Sequence, residues 1–461
     1  MGRSTVPGDD VTATVGGRLL RDLGRRGLLR AVAALGAATA ASVPLASTAT
    51  AGAGGGAAGA RVRLPGRILQ PGTGPIDGRH YLRSDPERVL WGYLPRIGDE
   101  PVLRMRSGET VTVDTVSHEG ILEDQGRDPV EYFAGKGVRR RDVLDDAVAI
   151  AAGYDRTPRD FDVDGPHVVT GPIHVRGAEP GDVLKIETLS ALPRVPYGVV
   201  SSRHGKGALS ASFADLDRSE VMPPVETDGR PTGDPTRYGN VSTFTPVTTR
   251  RGRPVGRLPV GRSGEVAFPL DPFAGILGVA TAGPPSATDP AVNSIPPTLG
   301  GGNIDIKLLG VDSAFYLPVV AEGALFHVGD PHFAMGDGEV ALTALEGSLR
   351  LTFRLTVCKR GDGRAPDVAF GYPFAETPDV WVPIGLSDPD GATGGQVSDL
   401  DVAMRRAVVN ALDFLEGELG MDRPTAYAYL SAGADFAVSQ VVDRTVGVHG
   451  IIRKEHFAHR R

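Results

Sequence analysis

The chain has 461 residues and a net charge of −7, with 49 lysines and arginines against 56 aspartates and glutamates. No basic block follows the N-terminal segment, and this charge balance argues against a nucleic-acid partner. The single cysteine, Cys358, excludes an intrachain disulfide and a thiolate zinc cluster. Any bound metal must therefore use histidine and carboxylate ligands.

Residues 1–53 have the pattern of an export signal. Arg25 and Arg26 precede an apolar, alanine-rich run from Ala31 to Ala41, and Ala49-Thr50-Ala51 or Ala51-Gly52-Ala53 fits an A-x-A cleavage site. The arginine pair favours the twin-arginine route. The apolar run is shorter than the ~20 residues of a membrane-spanning helix. We predict a periplasmic or extracellular protein with no membrane anchor after signal removal.

Residues 54–395 predict a β-rich body with long loops. Pro101 to Met105 and Thr110 to Val116 alternate as two strands around a glycine turn, and Val183 to Leu189 repeats the pattern. Strand pairs at this spacing favour a β-sandwich or barrel.

Two charged, glycine- and proline-containing stretches interrupt this body. Residues 123–164 include a predicted helix from Arg141 to Ala152, and the stretch is interpreted as an insertion over the site or a support for an oligomer contact. Residues 210–266 are predicted to form long irregular connections.

Residues 396–461 change to a helical period. Leu400 to Leu419 places apolar residues on one face, with Gly420 as a stop, and a second helix begins near Pro424 and continues through Phe436 and Val438. These two helices are predicted to pack on the body, which gives an α+β fold.

Two segments carry most of the candidate site residues. Polar and apolar residues alternate from Asn303 to Leu308, so a strand there would place Asn303, Asp305 and Lys307 on one face. The second segment, Gly329 to Val340, contains Asp330, His332, Asp337 and Glu339. If a strand begins at its end, Asp337 and Glu339 share a face. Two carboxylates beside an imidazole favour a divalent-metal site, while the alternative is a solvated Gly/Asp turn.

These segments resemble the acetamidase/formamidase family. The resemblance covers the chain from about Trp91 to about Phe457. Its motifs here are Gly171-Pro172-Ile173, Gly177-Ala178-Glu179-Pro180-Gly181-Asp182, Gly301-Gly302-Asn303-Ile304-Asp305, Phe315-Tyr316-Leu317-Pro318-Val319, Asp330-Pro331-His332 and Gly336-Asp337-Gly338-Glu339-Val340.

The resemblance implies metal-dependent hydrolysis of a small, formamide- or acetamide-like carboxamide to carboxylate and ammonia by a homo-oligomer. A metal polarises the carbonyl and activates water, and a carboxylate transfers the proton. We predict Asp305 and His332 as metal ligands, Asp337 as a third ligand or a catalytic neighbour, and Glu339 as the general base. The nitrogen and oxygen donors favour zinc, with calcium as the alternative.

Further site candidates are less specific in sequence. Asn303, Lys307, Asp114, His167 and Asp330 are polar residues near strand ends or within the motifs. A strand-end surface lysine and a structural histidine are the alternatives for Lys307 and His167.

The segment Tyr197 to Leu209, with Arg203 and His204, corresponds to a site-facing loop of the family. Two departures from the family pattern bear on the site. Ser117 stands where an acidic residue is usual, and Ala341-Leu342 stands where Cys-Gly is usual.

Two other functions remain open from the sequence. The first is a related C–N hydrolase acting on a cyclic amide (lactam) or another amide. The second is a non-catalytic exported binding protein, against which the joint presence of Asp305, His332, Asp337 and Glu339 argues.

Replacing Arg25 and Arg26 with lysine is expected to retain the full-length protein in the cytoplasm, because the export route requires the arginine pair. Cell fractionation and immunoblotting measure the outcome. Normal export of the double variant would contradict the predicted route.

Overall fold

The computed structural model describes residues 62–161, 163–203, 207–209, 240–282, 293–389 and 398–458. The predicted export signal lies outside these residues and stays a prediction. Among the described residues are two large β-sheets and four α-helices, two of them near the C-terminus. The predicted α+β, β-rich fold is confirmed.

The strands follow one another along the chain with a few helical insertions. They are β1 His80–Leu82, β2 Val89–Trp91, β3 Leu103–Arg106, β4 Thr110–Asp114, β5 Val168–Arg176, β6 Val183–Pro193, β7 Tyr197–Arg203, β8 Asn240–Arg250, β9 Arg253–Val260, β10 Gly264–Pro269, β11 Phe273–Gly278, β12 Gly301–Asn303, β13 Ala314–Pro318, β14 Phe326–Ala334, β15 Leu345–Glu346, β16 Leu349–Cys358, β17 Phe374–Glu376, β18 Val380–Leu386, β19 Asp435–Gln440 and β20 Gly447–Arg453. The helices are α1 Pro129–Ala134, α2 Asp145–Gly153, α3 Leu400–Gly417 and α4 Arg423–Gly433.

The two sheets share one hydrophobic core. The first has the order β1-β4-β16-β6-β13-β17-β18-β20-β19. The second has the order β10-β9-β8-β7-β15-β14-β11-β12, and β5 joins it by pairing with β14, β2 and β3. Phe326 of β14 and Phe353 of β16 bring ring centroids to 5.4 Å between the sheets. Burial of such side chains is the main favourable term in folding.

The C-terminal helices pack on the first sheet, as predicted. Phe414 of α3 stacks on Phe374 of β17, with ring centroids 4.8 Å apart. Gly385 of β18 permits this close packing, since a Cβ there would lie 2.1 Å from the carbonyl oxygen of Ala403 in α3. Helix α3 and strands β17 and β18 therefore fix one another's positions.

Four secondary-structure predictions are wrong. The second C-terminal helix ends at Gly433, and Phe436 and Val438 lie in β19, because the β19–β20 hairpin completes the first sheet. The alternating run after Asn303 is not a strand, since Asp305 adopts a left-handed conformation with φ 46° and Lys307–Leu309 is a 3₁₀ turn.

The other two concern longer segments. The strand predicted from Val340 onward begins only at Leu345, because Gly338, Glu339 and Leu342 all have positive φ and form a turn. The part of 210–266 that the structure describes is not irregular, since β8, β9 and the first half of β10 form an antiparallel meander.

Asp114, at the end of β4, is the centre of a buried ion-pair network with Arg350 on the adjacent strand β16. Its Oδ1 lies 2.6 Å from Nε of Arg350 and its Oδ2 lies 2.9 Å from Nη2 of the same guanidinium. Arg194 Nη2 is 3.5 Å away, and the hydroxyl of Tyr81 donates to Asp114 at 2.6 Å. This bidentate geometry is that of a structural anchor.

Asp114→Asn is expected to lower the free energy of unfolding by about 3–5 kcal/mol, because the buried guanidinium of Arg350 loses its counter-charge. Urea unfolding of the purified protein measures the change. Glu187→Gln is the control, since the pair of Glu187 with Arg354 is 3.7 Å apart and partly exposed, and such pairs contribute about 0–1 kcal/mol. Unchanged stability in Asp114→Asn would contradict this role.

Candidate functional site

Strand β14 carries the centre of the site. Asp330 and His332 are buried on this strand. The neighbouring strands place Phe273 of β11 and Glu346 of β15 beside His332. The ring of Phe273 meets the imidazole edge-on, with centroids 4.9 Å apart. Strand pairing therefore fixes the position of the imidazole on both sides.

A first group of potential ligands consists of His118, His167 and Asp330. His118 Nδ1 and His167 Nε2 each lie 3.7 Å from Oδ1 of Asp330. The other ring nitrogens face other partners: His118 Nε2 is 3.5 Å from Glu119, and His167 Nδ1 is 3.0 Å from the hydroxyl of Ser294. Outer partners of this kind orient histidines that ligate metals.

A second group surrounds His332. Its Nε2 lies 3.1 Å from Asp330 Oδ2, 3.1 Å from Glu346 Oε1 and 3.8 Å from Glu339 Oε1. Its Nδ1 lies 3.7 Å from Asp305 Oδ1. Asp330 thus faces the first group with one oxygen and His332 with the other.

The described residues fit a bound cation. In three overlapping sets, the potential ligand atoms lie within 4.8 Å of one another; the sets are His118–His167–Asp330, Asp305–His332–Glu339 and Asp330–His332–Glu346. His118 Nδ1, Asp330 Oδ1 and His332 Nδ1 are buried with no hydrogen-bond partner. Buried polar atoms are seldom left in this state unless a ligand or ion takes their lone pairs.

Gly275 of β11 leaves the space that the side chains of Asp305, Asp330 and His332 occupy. A Cβ at this position would lie 2.3 Å from Asp305 Oδ1, 2.6 Å from Asp330 Oδ2 and 2.7 Å from His332 Cε1. The backbone carbonyl of Gly275 also accepts a hydrogen bond from the amide N–H of Ile304 at 3.0 Å. Glycine is thus required here for space.

Three of the site carboxylates belong to residues in the left-handed region. The φ angles are 46° for Asp305, 50° for Asp330 and 45° for Glu339. This conformation is unfavourable for a residue with a side chain, above all for glutamate. Backbone strain of this kind concentrates at functional sites, where the surrounding structure enforces it.

The charges of the site depend on one another. Burial opposes the charged imidazole of His332, but the carboxylates of Glu346 and Asp330 raise its pKa well above the ordinary value. Burial alone would raise the pKa of Asp330, but the three imidazoles around it outweigh this effect and hold its pKa low. Burial and the charge of Asp330 raise the pKa of Asp305 to about 7. Burial and Asp305 raise the pKa of Glu339 well above its usual range.

Several residues predicted from the sequence meet in this cluster. They are Asp305, His332, Glu339, Asp330 and His167. They come from a strand, a turn and two loops, so their convergence follows from the tertiary fold.

Other candidates lie elsewhere. Asp337 forms an ion pair with Lys307 at 2.6 Å, with side chains about a third exposed, so the turn directs Asp337 and Glu339 differently. The amide of Asn303 donates to the carbonyl of Ile295 at 3.1 Å. Asp114 belongs to the network with Arg350 described above.

The predicted substrate-loop residues are only partly described. Arg203 is the last residue of β7, and nothing is described of its side chain. His204 lies outside the described residues. Their role in substrate binding stays a prediction.

Sequence reasoning missed four residues at the site: His118, Glu119, Glu346 and Asp443. His118 and Glu119 follow β4 and are buried, while Glu346 lies within a run that had been interpreted only as a strand. Asp443, in the β19–β20 connection, lies against Asp305, and burial together with the charge of Asp305 raises the pKa of Asp443 well above its usual range. The one signal in the sequence was the departure at Ser117 next to His118.

With this geometry established, the chain can be compared with known proteins. The model of the acetamidase/formamidase family matches residues 257–451. This match confirms the resemblance inferred from the motifs. It includes Asp305, Asp330, His332 and Glu339, whereas His118 and His167 precede it.

Individual relatives agree with this match. The acetamidase of Mycolicibacterium smegmatis is 27% identical over 292 residues, which cover 56% of this chain and 71% of that protein. The formamidase of Methylophilus methylotrophus is 27% identical over 311 residues, which cover 62% of this chain and 75% of that protein. The crystal structure of an acetamidase from Bacillus halodurans has a TM-score of 0.56 at 22% identity and covers 82% of this chain and 98% of its own, which shows a shared fold.

Gly275→Ala is expected to displace Asp305 and His332 and to lower both bound divalent metal and catalytic rate, the latter by about 10²-fold, as a misplacement of about 1 Å does. Elemental analysis and steady-state kinetics measure the two effects. Gly371→Ala is the control, because no atom lies within 4 Å of its added Cβ. Full metal content and rate in Gly275→Ala would show that the space is not needed.

Proposed function

We propose that the protein hydrolyses a small linear carboxamide, in the range of formamide and acetamide, and that it uses a divalent metal. The matches to proteins named acetamidase and formamidase confirm the predicted enzyme class, a hydrolase of carbon–nitrogen bonds other than peptide bonds. The observation that carries the metal is the buried group His118–His167–Asp330, in which His118 Nδ1 and Asp330 Oδ1 have no hydrogen-bond partner.

His118, His167 and Asp330 would hold the ion. Two imidazoles and one carboxylate leave a coordination position open, as in catalytic zinc sites. Imidazole donors disfavour calcium, which takes oxygen ligands. Burial lowers the pKa of His167 to about 4, so this imidazole is neutral at pH 7, the state that ligates. The predicted ligand roles of Asp305 and His332 stay predictions for the adjoining group, which shares Asp330.

The reaction breaks the C–N bond of the amide and forms a C–O bond with water. When bound, the ion supplies a Lewis acid that polarises a carbonyl and lowers the pKa of water. Glu339, whose Oε1 lies 3.8 Å from His332, accepts the proton of the water and passes it to the departing nitrogen. The imidazole of His332, with Nε2 3.1 Å from both Asp330 Oδ2 and Glu346 Oε1, keeps these two carboxylates in position.

Two further proposals concern the cellular setting. We propose export through the signal at Arg25–Arg26 and assembly into a homo-oligomer, as implied by the family resemblance. In the part of the chain that the structure describes, no helix combines the length and apolar character needed to cross a membrane.

Glu339→Gln is expected to retain bound metal and stability while lowering kcat by about 10²–10⁴-fold, because an amide cannot accept the proton. Ammonia release from formamide, acetamide, longer amides and a lactam measures activity. A rate near that of the parent would show that Glu339 is not the base.

The metal is tested in the same preparation. Chelation should abolish ammonia release, zinc should restore it, and His118→Asn should lower the metal found by elemental analysis. His456→Asn, at an exposed position, is the control. Active enzyme without divalent metal, or full metal content in His118→Asn, would contradict the proposal.

A further inference from the structure

Two turns of the chain bring carboxylates to His332. The first turn follows β12 and carries Asp305, whose Oδ1 lies 3.7 Å from His332 Nδ1. The second turn lies between β14 and β15 and carries Glu339, whose Oε1 lies 3.8 Å from His332 Nε2. The φ angles of Asp305 and Glu339 are 46° and 45°. Such a conformation persists only where surrounding contacts enforce it, so the contacts of the two turns determine where these carboxylates lie.

The two turns are attached to different sheets. In the first turn, the amide of Ile304 donates to the carbonyl of Gly275 in β11 at 3.0 Å. In the second turn, the amide of Gly338 donates to the carbonyl of Ser439 in β19 at 3.0 Å. The hydroxyl of Ser439 is itself hydrogen-bonded to Nδ1 of the buried His449 at 2.9 Å. Since β11 is in the second sheet and β19 in the first, each of these bonds ties its turn to a different sheet.

An ion pair joins the two turns directly. Lys307, two residues after Asp305, places its Nζ 2.6 Å from Oδ2 of Asp337, two residues before Glu339. Both side chains of the pair are about a third exposed, and ion pairs in such positions contribute little to the stability of a fold. The location of the pair, next to a site carboxylate at each end, points to an effect on the geometry of the site.

We propose that Lys307 and Asp337 are positioning residues, whose ion pair holds the second turn against the first and thereby keeps Glu339 beside His332. The effect on rate rests on the proposed function, in which Glu339 is the general base. A general base must lie within hydrogen-bond reach of the proton that it accepts, and a misplacement of about 1 Å lowers the rate by about 10²-fold. Loss of the pair therefore acts on kcat through Glu339.

Amide hydrogen exchange tests the position of the second turn without reference to catalysis. Lys307→Met removes the charge and keeps a long aliphatic side chain. It is expected to speed the exchange of the amides of Gly338, Glu339 and Leu342, which all donate to backbone carbonyls in or beside the turn. Mass spectrometry of peptides that cover residues 336–342 measures the rates. Exchange at the parent rate would overturn the proposal.

Ammonia-release kinetics test the consequence for catalysis. Lys307→Met and Asp337→Asn are each expected to lower kcat by about 10- to 10²-fold, with KM and urea unfolding unchanged. The double variant should be no slower than either single variant, because the two residues act as one unit. Lys307→Arg keeps the cation and should retain most of kcat. Additive losses in the double variant, or the parent kcat in both single variants, would overturn the proposal.

Lys454→Met is the matched control for the loss of an ion pair. Lys454 pairs with Glu376 at the same distance of 2.6 Å and with similar exposure, and neither residue belongs to the ligand groups. Its kcat and its exchange rates over residues 336–342 should equal those of the parent. A loss like that of Lys307→Met would show a general effect of removing such a pair and would overturn the specific one.

A second substitution shows whether the pair acts through Glu339. In the Glu339→Gln enzyme, adding Lys307→Met should lower the remaining kcat no further. A further loss as large as in the parent background would overturn the proposal. Failure of the proposed function looks different: the parent enzyme would release ammonia from no amide, or Glu339→Gln would keep the parent rate. Hydrogen exchange over residues 336–342 then decides the role of the pair by itself.

Discussion

The structure depends on one buried carboxylate, that of Asp330. One of its oxygens faces the imidazoles of His118 and His167, and the other faces that of His332. Burying this many ionisable groups is costly unless opposite charges or a cation compensate them. The surrounding elements are arranged so that this compensation is available at one point, and the left-handed backbone of Asp330 aims its oxygens there.

The parts of the fold outside the sandwich core hold this arrangement from two sides. On one side, the β19–β20 hairpin binds the turn that carries Glu339: the amide of Gly338 donates to Ser439 at 3.0 Å, and that of Val441 donates to Gly338 at 3.2 Å. On the other side, the segment 123–164 reaches the site through Gln125 and its contact with Glu119. The C-terminal region therefore also positions the turn that carries Glu339.

The buried charged residues form two groups, one that stabilises the fold and one that lies at the site. Around Asp114 the opposite charges are paired, Asp114 with Arg350 and Arg194 with Asp146. In the ligand cluster, by contrast, His118 Nδ1, Asp330 Oδ1 and His332 Nδ1 have no hydrogen-bond partner. Paired charges stabilise the fold, whereas unsatisfied lone pairs are suited to bind an ion or a substrate.

The sequence by itself determined the class of fold, the two C-terminal helices and the family resemblance, and it singled out Asp305, His332 and Glu339, which lie together in the cluster. Periodicity and local motifs carry this information because it depends on neighbours in the chain. Only the tertiary structure brought His118 and Glu346 to the site and separated Asp337 from Glu339. Positive φ at Asp305 and Glu339 ends the alternation of faces that a strand would have kept, so residues two apart in sequence no longer point the same way. Such conformations are enforced by packing against β11 and the β19–β20 hairpin, which lie far away in sequence.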